Sequence, residues 1–124
     1  VTWQEADGLA PLPENNCEGC IYSCFRTGSD GKNDWLFAHP LHSSRTEVHV
    51  WISEDEGKSW PHAQRIWVGP SAYTTMVRIP QSGMVGVLLE CGTKATYDQI
   101  AFIKLAPGWL KSGKPPVLDA PVKK

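Results

Sequence analysis

The sequence predicts an all-β fold. About seven short apolar runs of strand character recur along the chain, turn-forming residues separate them, and no window shows a convincing 3.6-residue period. The strands read as 19–26, 35–39, 46–53, 63–68, 73–79, 84–90 and 99–105.

Each element has its own reason. Residues 6–16 carry Gly8, Pro11, Pro13 and two asparagines, and read as a connection after a short strand at 1–3. Cys20, Tyr22 and Phe25 mark the first main strand, and residues 27–33 are a polar turn. Trp35-Leu36-Phe37-Ala38-His39 follows, then a loop from Pro40 to Ser44. Val48, Val50 and Ile52 alternate with Glu47, His49 and Trp51, a period of two. Ser53-Glu54-Asp55-Glu56-Gly57-Lys58-Ser59-Trp60 has the pattern Ser-x-Asp-x-Gly-x-x-Trp and reads as a hairpin turn. Asp55 can accept backbone N–H groups two residues on, Gly57 supplies a positive φ, and Trp60 gives the turn a large apolar anchor. Gly69-Pro70, Pro80-Gln81-Ser82-Gly83 and residues 92–97 break up the later strands. Residues 107–124 hold Pro107, Pro115, Pro116 and Pro121 with Lys111, Lys114, Lys123 and Lys124, and read as an extended, weakly ordered tail.

The first four main strands have the size of one propeller blade, and the last three that of a blade lacking one strand. At roughly 40–45 residues per blade, the chain makes fewer than three blades, too few to close a ring. Its 124 residues carry 12 Lys plus Arg against 13 Asp plus Glu, a balance that gives no argument for nucleic acid or an acidic membrane. No apolar run reaches membrane-spanning length, and the first five residues have no signal-peptide character. Cys17-x-x-Cys20 is half of a zinc pattern with no second pair at finger spacing, while Cys20 and Cys24 fall on a strand. His39 and His42 lack a third ligand and read as loop-shaping residues.

Several stretches, in this order, resemble the sialidase (neuraminidase) family. Cys17-Glu18-Gly19-Cys20-Ile21 is similar to its Cys-Gln-Gly-Ser strand. His39-Pro40-Leu41-His42-Ser43-Ser44-Arg45 resembles the loop presenting the third arginine of its triad. Residues 53–60 match an Asp box, which other propellers share. Ser71-Ala72-Tyr73-Thr74-Thr75-Met76 resembles the segment with the catalytic tyrosine, and Leu88-Leu89-Glu90 the strand after it. The resemblance covers about residues 1–105. It implies two C-terminal blades of a six-bladed β-propeller over residues 1–106, with 17–68 as the fifth blade, 72–105 as most of the sixth, and 107–124 as a tail. The family's sixth blade is completed by an N-terminal strand absent from this chain, so the fold is incomplete in isolation.

The resemblance also assigns chemistry. Arg45 becomes a carboxylate ligand, suited to it by a planar fork that stays charged at any working pH. Tyr73 becomes the nucleophile; a neutral phenol avoids the repulsion a carboxylate would meet at an anomeric carbon that already bears one. A phenol of pKa near 10 needs a base to take its proton, and in the family a glutamate from an earlier blade does this. Glu90 becomes a positioning acid that orients the first triad arginine. On the residues alone, the three could equally be a surface arginine, a packed strand tyrosine and an exposed strand-end acid. Tyr97 and Asp98 match the family pattern and read as packing and turn-forming residues. The other triad arginines, the acid/base aspartate and the activating glutamate precede the matched region.

The implied function is that of a retaining exo-α-sialidase acting on sialylated glycoconjugates, with this chain as its C-terminal part and N-terminal blades required in cis or in trans. The alternatives are a trans-sialidase, a catalytically inactive carbohydrate-binding or structural propeller fragment, and a small all-β interaction domain. No metal or organic cofactor is implied.

Overall fold

The computed structural model describes residue 12 and residues 16–26 and 33–114. The strand expected at 1–3 and most of the tail lie outside the described residues. Among these described residues, seven strands and one short helix follow in chain order: β1 (Cys20–Arg26), β2 (Asn33–Pro40), β3 (Val48–Ser53), β4 (His62–Arg65), β5 (Ser71–Ile79), β6 (Met84–Cys91), β7 (Gln99–Leu105) and α1 (Pro107–Lys111). Each main strand read from the sequence is present. The strands form two antiparallel meanders, a four-stranded sheet β1-β2-β3-β4 and a three-stranded sheet β5-β6-β7. There is no closed barrel among the described residues, and the pair of sheets matches partial, adjacent propeller blades.

Period-two alternation decides what the sheets bury. Leu36, Ala38, Val50 and Ile52 from the first sheet meet Met76, Val85, Val87 and Leu105 from the second. On the opposite face of the first sheet, Phe37, Trp51, Trp60 and Ala63 form a separate aromatic cluster. Phe37 and Trp60 meet edge-on with ring centroids 6.2 Å apart. The first sheet is therefore covered on both faces, which is why all six residues of β3 are buried. The second sheet is covered on one face only: Val77, Leu88, Ile100 and Phe102 are exposed on the other.

The β3–β4 hairpin is built by side-chain bonds to its own backbone. The Asp55 carboxylate accepts the Ser59 N–H at 2.8 Å, the Ser59 hydroxyl at 2.6 Å and the Ser53 hydroxyl at 2.7 Å. The Gly57 N–H donates to Ser53 Oγ at 2.8 Å. Gly57 has φ 87°, and a Cβ there would stand 3.0 Å from the Trp35 ring, so both conformation and space favour glycine.

One expectation is corrected. Residues 107–111 form a helical turn rather than an extended tail. Pro107 suits the first turn, where its missing N–H costs nothing. Leu110 is fully buried in the inter-sheet core, worth about 2 kcal/mol. Lys111 Nζ lies 3.1 Å from the buried Asp34 carboxylate and 2.5 Å from Glu54. A five-residue helix is too short to print a period, and its stability comes from this packing.

The hydroxyl of Ser59, then backbone N–H groups and Ser53, hold the Asp55 carboxyl down to about 2 from an ordinary 3.8. A depressed acid stabilises the fold above its unfolded value, and that share is lost as pH falls through the folded value. Asp55→Ala is expected to lower stability by about 1 kcal/mol at neutral pH, with the gap to wild type closing below about pH 4. Denaturant midpoints measured across that range check it.

Candidate functional site

The strand directions bring three connections to one end of the molecule: residues 41–47, 66–70 and 92–98. The Asp55 hairpin lies at the other end. Backbone bonds join the three. The Ser71 N–H donates to the Arg45 carbonyl at 2.8 Å, and Thr46 bridges Pro70. The Glu47 N–H reaches the Gly69 carbonyl at 3.3 Å, and the Gly92 N–H reaches the Pro70 carbonyl at 2.9 Å. A Cβ on Gly69 would stand 2.6 Å from the Gly92 carbonyl oxygen, so the chains meet closer than any side chain allows.

Arg45 sits in the β2–β3 loop with φ 56°, and Glu47 two residues on has φ 60°. Positive φ at ordinary residues is costly and persists where the surroundings enforce it. The Arg45 guanidinium donates from Nη1 to the Tyr97 hydroxyl at 3.3 Å and from Nη2 to the Asn16 carbonyl. Both acceptors are neutral. Arg65, by contrast, is paired with Glu47 at 3.2 Å. Asn16 is carried to Arg45 by the segment that opens β1. His39, buried in β2, turns Nε2 to the Cys17 carbonyl at 3.0 Å, and a Cβ on Gly19 would stand 2.7 Å from the His39 ring.

Tyr73 lies at an irregularity of β5. Ser71 pairs with Cys91 and Thr74 with Leu89, so three steps on β5 oppose two on β6. Such a bulge bends the strand and re-aims a side chain. Tyr73 is 46% exposed, although its neighbours Ala72 and Thr74 are buried. Glu90 on β6 accepts the Tyr73 N–H through Oε2 at 3.3 Å. Thr74 locks the strand to the first sheet, its hydroxyl donating to the Ala38 carbonyl at 2.9 Å.

The structure therefore brings Arg45, Tyr73 and Glu90 to one end, with Arg45 joined to Tyr73 through the backbone of Ser71 and Glu90 bonded directly. Beside them lies an open cavity of about 470 Å³ lined by residues including Arg65, Trp67, Val68, Gly92 and Thr93, without any of the three. The histidines differ: His39 is buried inside β2, while His42 is exposed on the loop, 3.9 Å from Glu47. His49, which the sequence left without a role, is pushed below its ordinary value, chiefly by burial. Cys20 and Cys91 are free thiols.

Sequence reasoning missed two partners of Arg45. The Asn16 carbonyl has no sequence signal, because every residue carries one. Tyr97 reads as a packing residue, yet it is 66% exposed and its hydroxyl meets Arg45. Its sequence signals are an aromatic side chain within a polar loop and a match to the family pattern there. Asp98 does form the turn, its Oδ2 accepting the Lys94 and Ala95 N–H groups at 3.2 and 3.0 Å.

Two antiparallel sheets joined at one end, with an arginine and an exposed tyrosine on that end, define a partial propeller carrying a polar site. Comparison with known proteins agrees. The chain is similar to sialidase-3 from Homo sapiens, 28% identical over 97 residues that cover 75% of this chain and 23% of the relative. It is also similar to sialidase-3 from Bos taurus, 30% identical over 70 residues covering 54% of this chain and 16% of the relative. Sialidase-4 from Homo sapiens is 33% identical over 75 residues, covering 54% and 15%. No family model matches the chain. Over about half to three quarters of its length the chain is thus similar to curated sialidases. It spans less than a quarter of the length of the curated relatives it matches.

Gly92→Ala would set its Cβ 1.8 Å from the Ala95 carbonyl oxygen. The 92–98 loop is then expected to open, with the Lys94 and Ala95 amides exchanging with solvent at least about tenfold faster, as hydrogen-exchange mass spectrometry would show.

Proposed function

We propose that this chain is the C-terminal part of an exo-α-sialidase that releases terminal sialic acid from glycoconjugates with retention of configuration. The observation that carries the reading is the state of Arg45. Among the described residues its guanidinium is bonded to a carbonyl and a phenol and to no carboxylate, so its charge remains available to an anionic ligand. Tyr73 stands at the same end with its side chain half exposed.

In this reading Arg45 grips the sugar carboxylate through its planar fork. The Tyr73 oxygen, its proton taken by a base, attacks the anomeric carbon. The bond to the leaving oxygen breaks as that oxygen takes a proton from a general acid. Water then attacks the same carbon, releasing sialic acid and restoring the phenol. Glu90 positions Tyr73 through the backbone and turns its remaining carboxylate oxygen to an arginine from outside this chain. No carboxylate is bonded to the Tyr73 hydroxyl among the described residues, so base and acid come from other blades. The exposed apolar face of Val77, Leu88, Ile100 and Phe102 supports a further blade there, in cis or in trans, since a patch of this kind seeks a partner.

That missing base also favours a second reading, a fragment that binds sugars without cleaving them. The Asp box of residues 53–60 serves either reading as a hairpin staple. Transfer of the sialyl group to another sugar in place of water would use the same residues.

Two outcomes follow. In the native protein, Tyr73→Phe should cut turnover of a fluorogenic sialoside about a thousandfold or more, and a 3-fluorosialyl fluoride should label Tyr73 by mass spectrometry. Label on another residue would overturn the nucleophile assignment. The 124-residue chain alone is expected to show no turnover. Robust turnover by it would refute the requirement for other blades.

A further inference from the structure

We infer that Tyr97 is the positioning residue for Arg45, holding the guanidinium plane from the β6–β7 loop so that its remaining donors face an anionic ligand. The inference rests on the carboxylate-binding reading of Arg45 and goes beyond it, because Tyr97 does not itself touch the reacting atoms.

An arginine at a solvent-facing rim has about 2 kcal/mol of rotamer freedom to lose when it binds. Arg45 has part of that freedom removed in advance. Nη1 is held by the Tyr97 hydroxyl at 3.3 Å and Nη2 by the Asn16 carbonyl, from two different segments of the chain. Two acceptors on two different nitrogens fix a plane, whereas one leaves it free to swing. A guanidinium has five N–H donors, so others remain for a ligand. The chemical identity of the holder matters as well. A carboxylate in place of the phenol would bind more tightly and would neutralise the charge that a ligand carboxylate needs. A phenol orients without neutralising.

Tyr97 is not placed by core packing, being 66% exposed. Its loop places it. Gly92 lets the chain double back on the Ala95 carbonyl, where a Cβ would stand 1.8 Å away. Asp98, next to Tyr97, ties Lys94 and Ala95 through its carboxylate, and these N–H bonds hold its carboxyl below the ordinary range. The Gly92 N–H to the Pro70 carbonyl then pins the loop to the segment that also bonds Arg45 through Ser71. The phenol and the guanidinium are thus referred to one backbone frame.

The test uses the native protein and two probes, free sialic acid and its methyl ester, which lacks the negative charge. Binding is measured by calorimetry or NMR for wild type and Tyr97→Phe, a change that deletes one exposed oxygen and no core contact. Wild type is expected to prefer the acid. Tyr97→Phe should weaken binding of the acid about tenfold and leave the ester unchanged, a charge-selective loss that mere loosening of the loop would not produce. If Tyr97→Phe binds both probes like wild type while wild type still prefers the acid, the role of Tyr97 is overturned and the carboxylate-binding reading stands. If wild type shows no preference for the acid, that reading fails and the role of Tyr97 goes with it.

Discussion

The bond from the Ser71 N–H to the Arg45 carbonyl joins the two sheets at the end where the polar residues gather. It fixes the start of β5 against the β2–β3 loop, so the positions of Arg45 and Tyr73 are set by one shared stretch of backbone. Close by, Gly69 lets the 92–98 loop approach to a distance that a Cβ would forbid. Buried backbone groups must find partners, and in residues 69–71 they find them in all three loops at once. The irregular pairing of β5 and the left-handed conformation at Arg45 are local departures that this frame sustains.

The two ends of the sheets divide the labour. At one end, the Asp55 hairpin, the Leu110 plug and the contacts of Lys111 with Asp34 and Glu54 close the core with satisfied, paired groups. At the other, positive φ, a strand bulge and a guanidinium held by neutral acceptors are tolerated together. Strain and an uncompensated charge cost stability, and both are concentrated at this end. The aromatic cluster of Phe37, Trp51 and Trp60 packs on the far face of the first sheet.

The second sheet leaves one of its faces uncovered. Its strands carry apolar residues on both faces, as strands covered on both faces do, yet Val77, Leu88, Ile100 and Phe102 face water. Phe102 folds over Gly86, where a Cβ would stand 2.3 Å from the ring, so a large side chain already shelters some of that surface.

Periodicity and turn chemistry alone determined the strands, because both are local: alternation needs only neighbours, and Gly57, Pro70 and Gly83 interrupt the chain wherever it folds. Asp55 as an acceptor of backbone N–H groups was legible for the same reason, although the N–H it takes is that of Ser59, four residues on, and the Ser53 and Ser59 hydroxyl bonds carried no such signal. Arg45, Tyr73 and Glu90 were marked by the resemblance to the sialidase family, not by local pattern, and the resemblance did not bring them together. Only tertiary structure decided that Arg45 meets the Asn16 carbonyl and the Tyr97 hydroxyl, that β3 is covered on both faces, and that residues 107–111 coil into a helix. Those outcomes depend on contacts between residues far apart in sequence. Such contacts carry no period, and a backbone carbonyl or a five-residue turn leaves no mark on composition.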